Sequence, residues 1–148
     1  MEKLKLGTFF INFMGWYILL MGFLMIFVTE IMFISDFGWY TSIEYNIYYS
    51  NPATRIFAEI FILQKKVMGF MLCSTGVLVL FISRKNYSKG DKWAWYFILI
   101  AGCLVWGTFI GYKILIGYYG GSMITFIVGA GLLIVGLFIP FKEFFRKE

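Results

Sequence analysis

Long apolar stretches separated by short polar segments dominate the chain, and four of them are long enough to form membrane-crossing helices. At 1.5 Å per residue, about 20 apolar residues cross a hydrocarbon core of about 30 Å. The predicted spans are Thr8–Ile34, Ala53–Ile82, Trp93–Ile116 and Ser122–Ile139. Because the first two exceed the required length, we expect them to tilt, kink or project beyond the bilayer.

The composition agrees with this pattern. The chain has 148 residues, of which 61% are hydrophobic, and its mean hydropathy is +0.81. A soluble domain is nearer to half apolar and lacks repeated uninterrupted apolar stretches. We therefore predict a single all-α transmembrane domain over residues 1–148, an integral membrane four-helix bundle whose neighbouring helices are mostly antiparallel.

Basic residues predict the orientation. Nine of the thirteen Lys and Arg residues lie in segments 1–7, 83–92 and 140–148, which alternation of the spans places on one side. The positive-inside rule then puts both termini and the loop 83–92 in the cytoplasm, in the plasma membrane, with the loop 35–52 outside. These charges face anionic lipid, so the predicted partners include lipids and exclude nucleic acid.

The outer loop 35–52 is rich in aromatic residues, namely Trp39, Tyr40, Tyr45, Tyr48 and Tyr49. Such amphipathic rings suit the headgroup layer, so we expect the loop to lie on the membrane with a short interfacial helix. A patch that binds a partner is the alternative interpretation.

Small residues indicate how the helices pack. Three pairs of glycines are seven residues apart, which places each pair on one helix face and favours a left-handed bundle. The third span instead contains a G-x-x-x-G motif, which faces either its own bundle or another chain. The predicted helix-packing residues are Gly15, Gly22, Gly69, Gly76, Gly107, Gly111, Gly129 and Gly136.

Charged residues that enter the spans gather at their outer ends. The candidate ligand-binding or ion-pair residues are Glu30, Arg55, Glu59, Lys66 and Lys113, with Lys65 nearby. Ionisable groups at membrane depth are costly and mark functional sites by default, although long lysine side chains also reach the headgroups. A structural rim of paired charges and a polar pocket for a ligand, ion or proton both fit this pattern.

The helical arrangement suggests specific pairs. Glu30 could meet Lys66 or Arg55, and Glu59 could pair with Lys66. Lys113 lies on the opposite side of its helix from the G-x-x-x-G motif, so only one of the two can point into the bundle.

Catalytic, metal and cofactor sites are not indicated. The chain has no histidine, and its two cysteines lie inside spans without ligand spacing. Met14, Met21, Met25 and Met32 form a stripe that we interpret as core packing. We expect the Asn12 side chain to make a hydrogen bond between two helices. We predict no catalytic residues, no metal and no cofactor.

The order of parts comprises four spans, a long outer loop after the first, Arg55 opening the second and a short basic inner loop. This order resembles the DoxX-like group of small four-helix membrane proteins. The resemblance covers the topology of most of the chain, and Arg55 is the only residue aligned. Because members of that group are associated with respiratory or quinone-linked complexes, the resemblance implies a partner-subunit role.

We therefore predict a non-catalytic accessory or scaffolding subunit of a larger membrane protein complex, with other membrane subunits as partners. The alternative is a small-molecule, lipid or quinone-binding membrane protein with a polar pocket at the outer rim.

Overall fold

A computed structural model describes residues 2–29, 34–115, 117 and 121–145. This part of the chain is all-helical. The α-helices are α1 (Glu2–Phe27), α2 (Ile34–Thr41), α3 (Tyr45–Ser50), α4 (Arg55–Lys85), α5 (Lys92–Leu115), α6 (Gly121–Phe138) and α7 (Phe141–Phe145), and a 3-10 turn (Tyr87–Lys89) follows α4.

Within the described residues, three helices are long and apolar enough to cross a membrane: α1, α4 with its 3-10 extension, and α5. This confirms the predicted membrane character. Helix α6 is also apolar but has only 18 residues. Helix α1 begins at Glu2 instead of Thr8 and ends at Phe27. Helix α4, with 31 residues, is about 46 Å long at 1.5 Å per residue, so it exceeds the hydrocarbon thickness as predicted.

The chain divides into two compact units, which we call the larger unit (Met1–Leu19 and Ser74–Glu148) and the smaller unit (Leu20–Cys73). In the larger unit, the first half of α1 packs antiparallel against the end of α4. A Cβ added at Gly76 would lie 2.9 Å from the backbone nitrogen of Leu19 and 3.0 Å from the carbonyl oxygen of Gly15. The two backbones therefore touch, as small-residue faces allow in lipid.

Helix α6 packs against both α1 and α5 in the larger unit. The side chain of Ile11 fills the space beside Gly136, and the indole of Trp106 covers Gly129. One turn earlier in α5, Leu133 lies against Gly102. Helix α6 therefore runs antiparallel to α5, since residues 102 and 106 of α5 meet residues 133 and 129 of α6. It also runs antiparallel to α1, since Ile11 meets Gly136 and Tyr17 meets Thr125.

Long-range hydrogen bonds from side chains to backbone carbonyls connect elements of the larger unit. The Tyr87 hydroxyl donates to the carbonyl oxygen of Gly136 at 2.6 Å, and the Trp95 indole N–H donates to that of Leu137 at 3.1 Å. The Tyr17 hydroxyl donates to the carbonyl oxygen of Thr125 at 3.0 Å. These three side-chain donors are thus satisfied by backbone carbonyls of α6.

In the smaller unit, the end of α1 crosses α4 at Gly22 and Gly69. A Cβ on either residue would lie 2.8 Å from the carbonyl oxygen of the other. The loop predicted over residues 35–52 holds most of α2 and all of α3, so the predicted short helix is present as two helices. They enclose an apolar cluster with α4, formed by Phe37, Tyr45, Ala58 and Ile62 and flanked by Ile34, Tyr48 and Phe61.

The methionine stripe of α1 lies in the core, as predicted. Met14 is fully buried, and Met21 and Met25 are buried as well. Met32 lies outside the described residues. Many large apolar side chains face outward instead, such as Phe27, Leu115 and Phe138, as expected of helices surrounded by lipid.

Candidate functional site

The outermost predicted charges form a surface network at the start of α4. Arg55 Nε lies 2.8 Å from Glu59 Oε1, one helical turn away, and both side chains are about half exposed, at 54% and 51%. The Arg55 guanidinium also donates to the Tyr49 hydroxyl at 3.2 Å, with its carbon 4.7 Å from the ring centroid. The proposed pairing of Glu59 with Lys66 is therefore replaced by a pairing within the first turn of α4.

Lys65 is a buried charged side chain of α4. Its Nζ lies 3.9 Å from Asp36 Oδ2 of α2, and the two side chains are only 7% and 2% exposed. Lys66 is half-buried beside it. Taking two charges out of water costs free energy, so a buried ion pair requires close matching of its two partners. The exposed pair of Arg55 and Glu59 has no such requirement. The sequence interpretation named Lys66 in this role and did not include Asp36.

An aromatic cluster lies beside the ion pair. Lys65 Nζ lies 5.2 Å from the centroid of Phe61. Phe61 meets Phe37 edge-to-face at 5.2 Å, and Phe37 makes similar contacts with Tyr45 at 5.4 Å and Tyr48 at 5.1 Å. The ring face over Phe61 gives the ammonium a favourable electrostatic contact in addition to the carboxylate. The lysine therefore lies against one ring of a connected aromatic cluster.

Helical phase explains why Lys65 is the buried lysine. The buried residues of the first half of α4 are Ala58, Ile62, Lys65, Gly69 and Leu72, which alternate in steps of four and three. This is the stripe that a left-handed pair of antiparallel helices buries. Lys65 occupies the stripe, whereas Lys66 lies beside it. That spacing, anchored on Gly69 and Gly76, is the sequence signal that would have selected Lys65.

Lys113 points into the larger unit. Its side chain is 2% exposed and shares the buried face of α5 with Gly102, Trp106 and Phe109. On the opposite face, a Cβ at Gly107 or Gly111 would meet nothing within 4 Å among the described residues. The two alternatives posed by the sequence are thus resolved: the lysine faces in and the G-x-x-x-G motif faces out.

The remaining predicted residues have different outcomes. Glu30 lies outside the described residues. The six glycines of the seven-residue pairs all lie where a Cβ would press on a neighbouring helix. Asn12 Oδ1 is buried without a hydrogen-bond partner in the described part of the chain, as are Ser83 Oγ and Trp106 Nε1. The hydrogen bond predicted for Asn12 is therefore not made by its carbonyl oxygen.

The described residues contain no group of three or more Cys, Asp or Glu side chains placed to hold a metal ion. Comparison with protein-family models, with curated proteins and with solved structures finds no match. Inference about function therefore depends on the geometry of this chain alone.

Proposed function

We propose that the protein is a non-catalytic accessory subunit of a larger membrane complex. In this proposal α1, α4, α5 and α6 form a four-helix transmembrane bundle in the plasma membrane, with both termini on the cytoplasmic side. The positive-inside distribution of Lys and Arg supports that orientation. The resemblance in topology to the DoxX-like group supports the same role.

The observation that carries the proposal is the open glycine face of α5. The other predicted packing glycines are used for contacts within their own unit, whereas Gly107 and Gly111 have open space above them. Cys103 and Thr108 on the same side of the helix are exposed. Because close backbone approach at small residues drives helix association in lipid, this face suits a transmembrane helix of another subunit.

Co-purification from native membranes tests the proposal. The wild-type chain and a Gly107→Leu/Gly111→Leu variant would be isolated in mild detergent, and companion proteins identified by mass spectrometry. We expect the variant to lose companions that the wild type retains, because leucine side chains hold the helices apart. Its thermal stability should be unchanged, since nothing lies within 4 Å of either position.

Gly131→Leu in α6 is the matched control. A Cβ at Gly131 also meets nothing within 4 Å, so this control adds one leucine at a similarly open position on a different helix. The control should retain the companions. A wild-type chain that is monodisperse and partnerless would contradict the proposal, and so would equal recovery of companions with both variants.

A ligand-binding role at the outer rim is the second candidate, favoured by the exposed network of Arg55, Glu59 and Tyr49. Binding of decylubiquinone to detergent-solubilised protein, followed by quenching of tryptophan fluorescence, provides a test. Coupled loss of binding in Arg55→Met, Glu59→Gln and the double variant would support a pocket. Unchanged binding would assign the network a structural role.

A further inference from the structure

A cleft of about 410 Å³ opens at the basic end of the larger unit. It is lined by Lys3, Phe141, Lys142, Glu143 and Phe145. Helix α1 begins at this end and α6 finishes here. The cleft thus lies between the first turn of α1 and the short helix α7.

Close packing below the cleft fixes the distance between its two sides. A Cβ at Gly7 would overlap the ring of Pro140 and lie 2.9 Å from the carbonyl oxygen of Gly136. The absence of a side chain at Gly7 therefore lets α1 approach the start of α7 directly. Lys3 lies one helical turn before Gly7, so its side chain reaches the same level as Lys142.

Aromatic packing holds the α7 side of the cleft in place. Phe144 is 2% exposed and lies 4.7 Å from the Tyr87 ring. Phe141 and Phe145 contact Trp95 edge-to-face at 5.6 and 5.3 Å. Phe144 thus packs against Tyr87 while Phe141 and Phe145 pack against Trp95, and Lys142 and Glu143 are exposed.

The charge of the lining suits an anion that also carries hydrogen-bond donors. Two ammonium groups and one carboxylate give a net charge of +1. Further basic side chains belong to the same end of the larger unit, namely Lys5, Arg84, Lys85, Lys89 and Lys92. Basic residues beside the ends of apolar helices attract anionic lipid, and aromatic residues there suit the headgroup layer.

The geometry points to a binding site for the headgroup of an anionic phospholipid in this cleft. Lys3 and Lys142 bind the phosphate, and Glu143 accepts a hydrogen bond from a headgroup hydroxyl or amine. The rings of Phe141 and Phe145 contact the glycerol and upper acyl region. Phosphatidylglycerol carries the phosphate and hydroxyl groups that this lining requires, whereas phosphatidylcholine has no net charge and no headgroup donor.

Native mass spectrometry of the full chain with added phosphatidylglycerol or phosphatidylcholine tests the site. We expect Lys3→Gln and Lys142→Gln each to weaken phosphatidylglycerol binding about fivefold, and the double variant about 25-fold. Binding of phosphatidylcholine should not change. The matched control is Lys5→Gln/Lys89→Gln, which removes the same charge at the same end but outside the cleft lining, and should change binding less than twofold.

Glu143→Gln replaces the carboxylate acceptor with a weaker, neutral amide acceptor. It should reduce the preference for phosphatidylglycerol over phosphatidic acid, which lacks the glycerol hydroxyls. Equal loss of binding in the cleft pair and the control pair would overturn the site and leave only diffuse attraction. Displacement of phosphatidylglycerol by excess inorganic phosphate would also overturn it, because the cleft would then recognise free phosphate.

Discussion

Removing the ammonium of Lys65 should destabilise the protein strongly, because it leaves the Asp36 carboxylate buried without that partner. The carboxylate side chain is 2% exposed and its oxygen lies 3.9 Å from Lys65 Nζ. Lys65→Met keeps most of the side-chain volume and removes the charge. Asp36→Leu makes the reciprocal change, and the double variant replaces the ion pair with two apolar side chains.

The expected magnitude follows from burial. At 3.9 Å and an effective dielectric constant of about 20, two unit charges attract each other by about 4 kcal/mol. Breaking a buried pair by removing one partner costs about 3–5 kcal/mol, whereas replacing both partners with apolar residues is often neutral or stabilising. We therefore expect each single variant to lose about 3 kcal/mol of unfolding free energy, and the double variant to recover most of it.

Reversible unfolding in mixed detergent micelles measures these free energies, with helicity followed by circular dichroism. The exposed pair provides the control, since Arg55 and Glu59 are closer together, at 2.8 Å, but about half exposed. Arg55→Met and Glu59→Leu should have no resolvable effect, because solvent screens the attraction. The reasoning is refuted if Lys65→Met is as mild as Arg55→Met, or if the double variant is no more stable than either single variant.

Three further substitutions test the packing of the larger unit by the same unfolding assay. Gly76→Ala should cost about 1–3 kcal/mol, because its Cβ would press on the backbone of α1; an unchanged midpoint would contradict the close backbone contact. Gly129→Leu should destabilise similarly, since the rigid ring of Trp106 occupies that space. Tyr87→Phe removes the 2.6 Å hydrogen bond to the carbonyl oxygen of Gly136 and should cost about 1–2 kcal/mol. A neutral effect of Tyr87→Phe would mean that water or another donor satisfies that carbonyl.

The helices could be predicted from sequence because uninterrupted apolar length is a direct physical requirement for crossing a bilayer. The boundaries were less accurate. Residues 2–7 belong to α1 although they include charged side chains. Hydropathy alone does not detect the part of a helix that continues beyond its apolar residues. The two helices within the outer loop depend on Phe37 and Tyr45 packing against α4, which local composition alone could not specify.

The ion pair could not be fully predicted, for two different reasons. Lys65 was recoverable from the spacing of Ala58, Ile62 and Gly69 along the buried stripe of α4. Asp36 was not, because it follows the first predicted span and reaches Lys65 only through the fold of the outer loop. Its contact depends on chain reversal between helices, and helical periodicity carries no information about that reversal.

Whether each of these charged side chains is buried or exposed depends on its position around the helix more than on its position along the helix. Glu59 and Lys66 are seven residues apart and lie beside the buried stripe of α4, whereas Lys65 lies on it. Lys113 likewise lies on the buried stripe of α5. A charged residue on the buried face of a helix favours the arrangement in which a neighbouring helix supplies its partner. Removing the charge from water costs free energy. We therefore expect the buried lysines to help fix helix register in each unit, while Arg55 and Glu59 are exposed to lipid or to a partner.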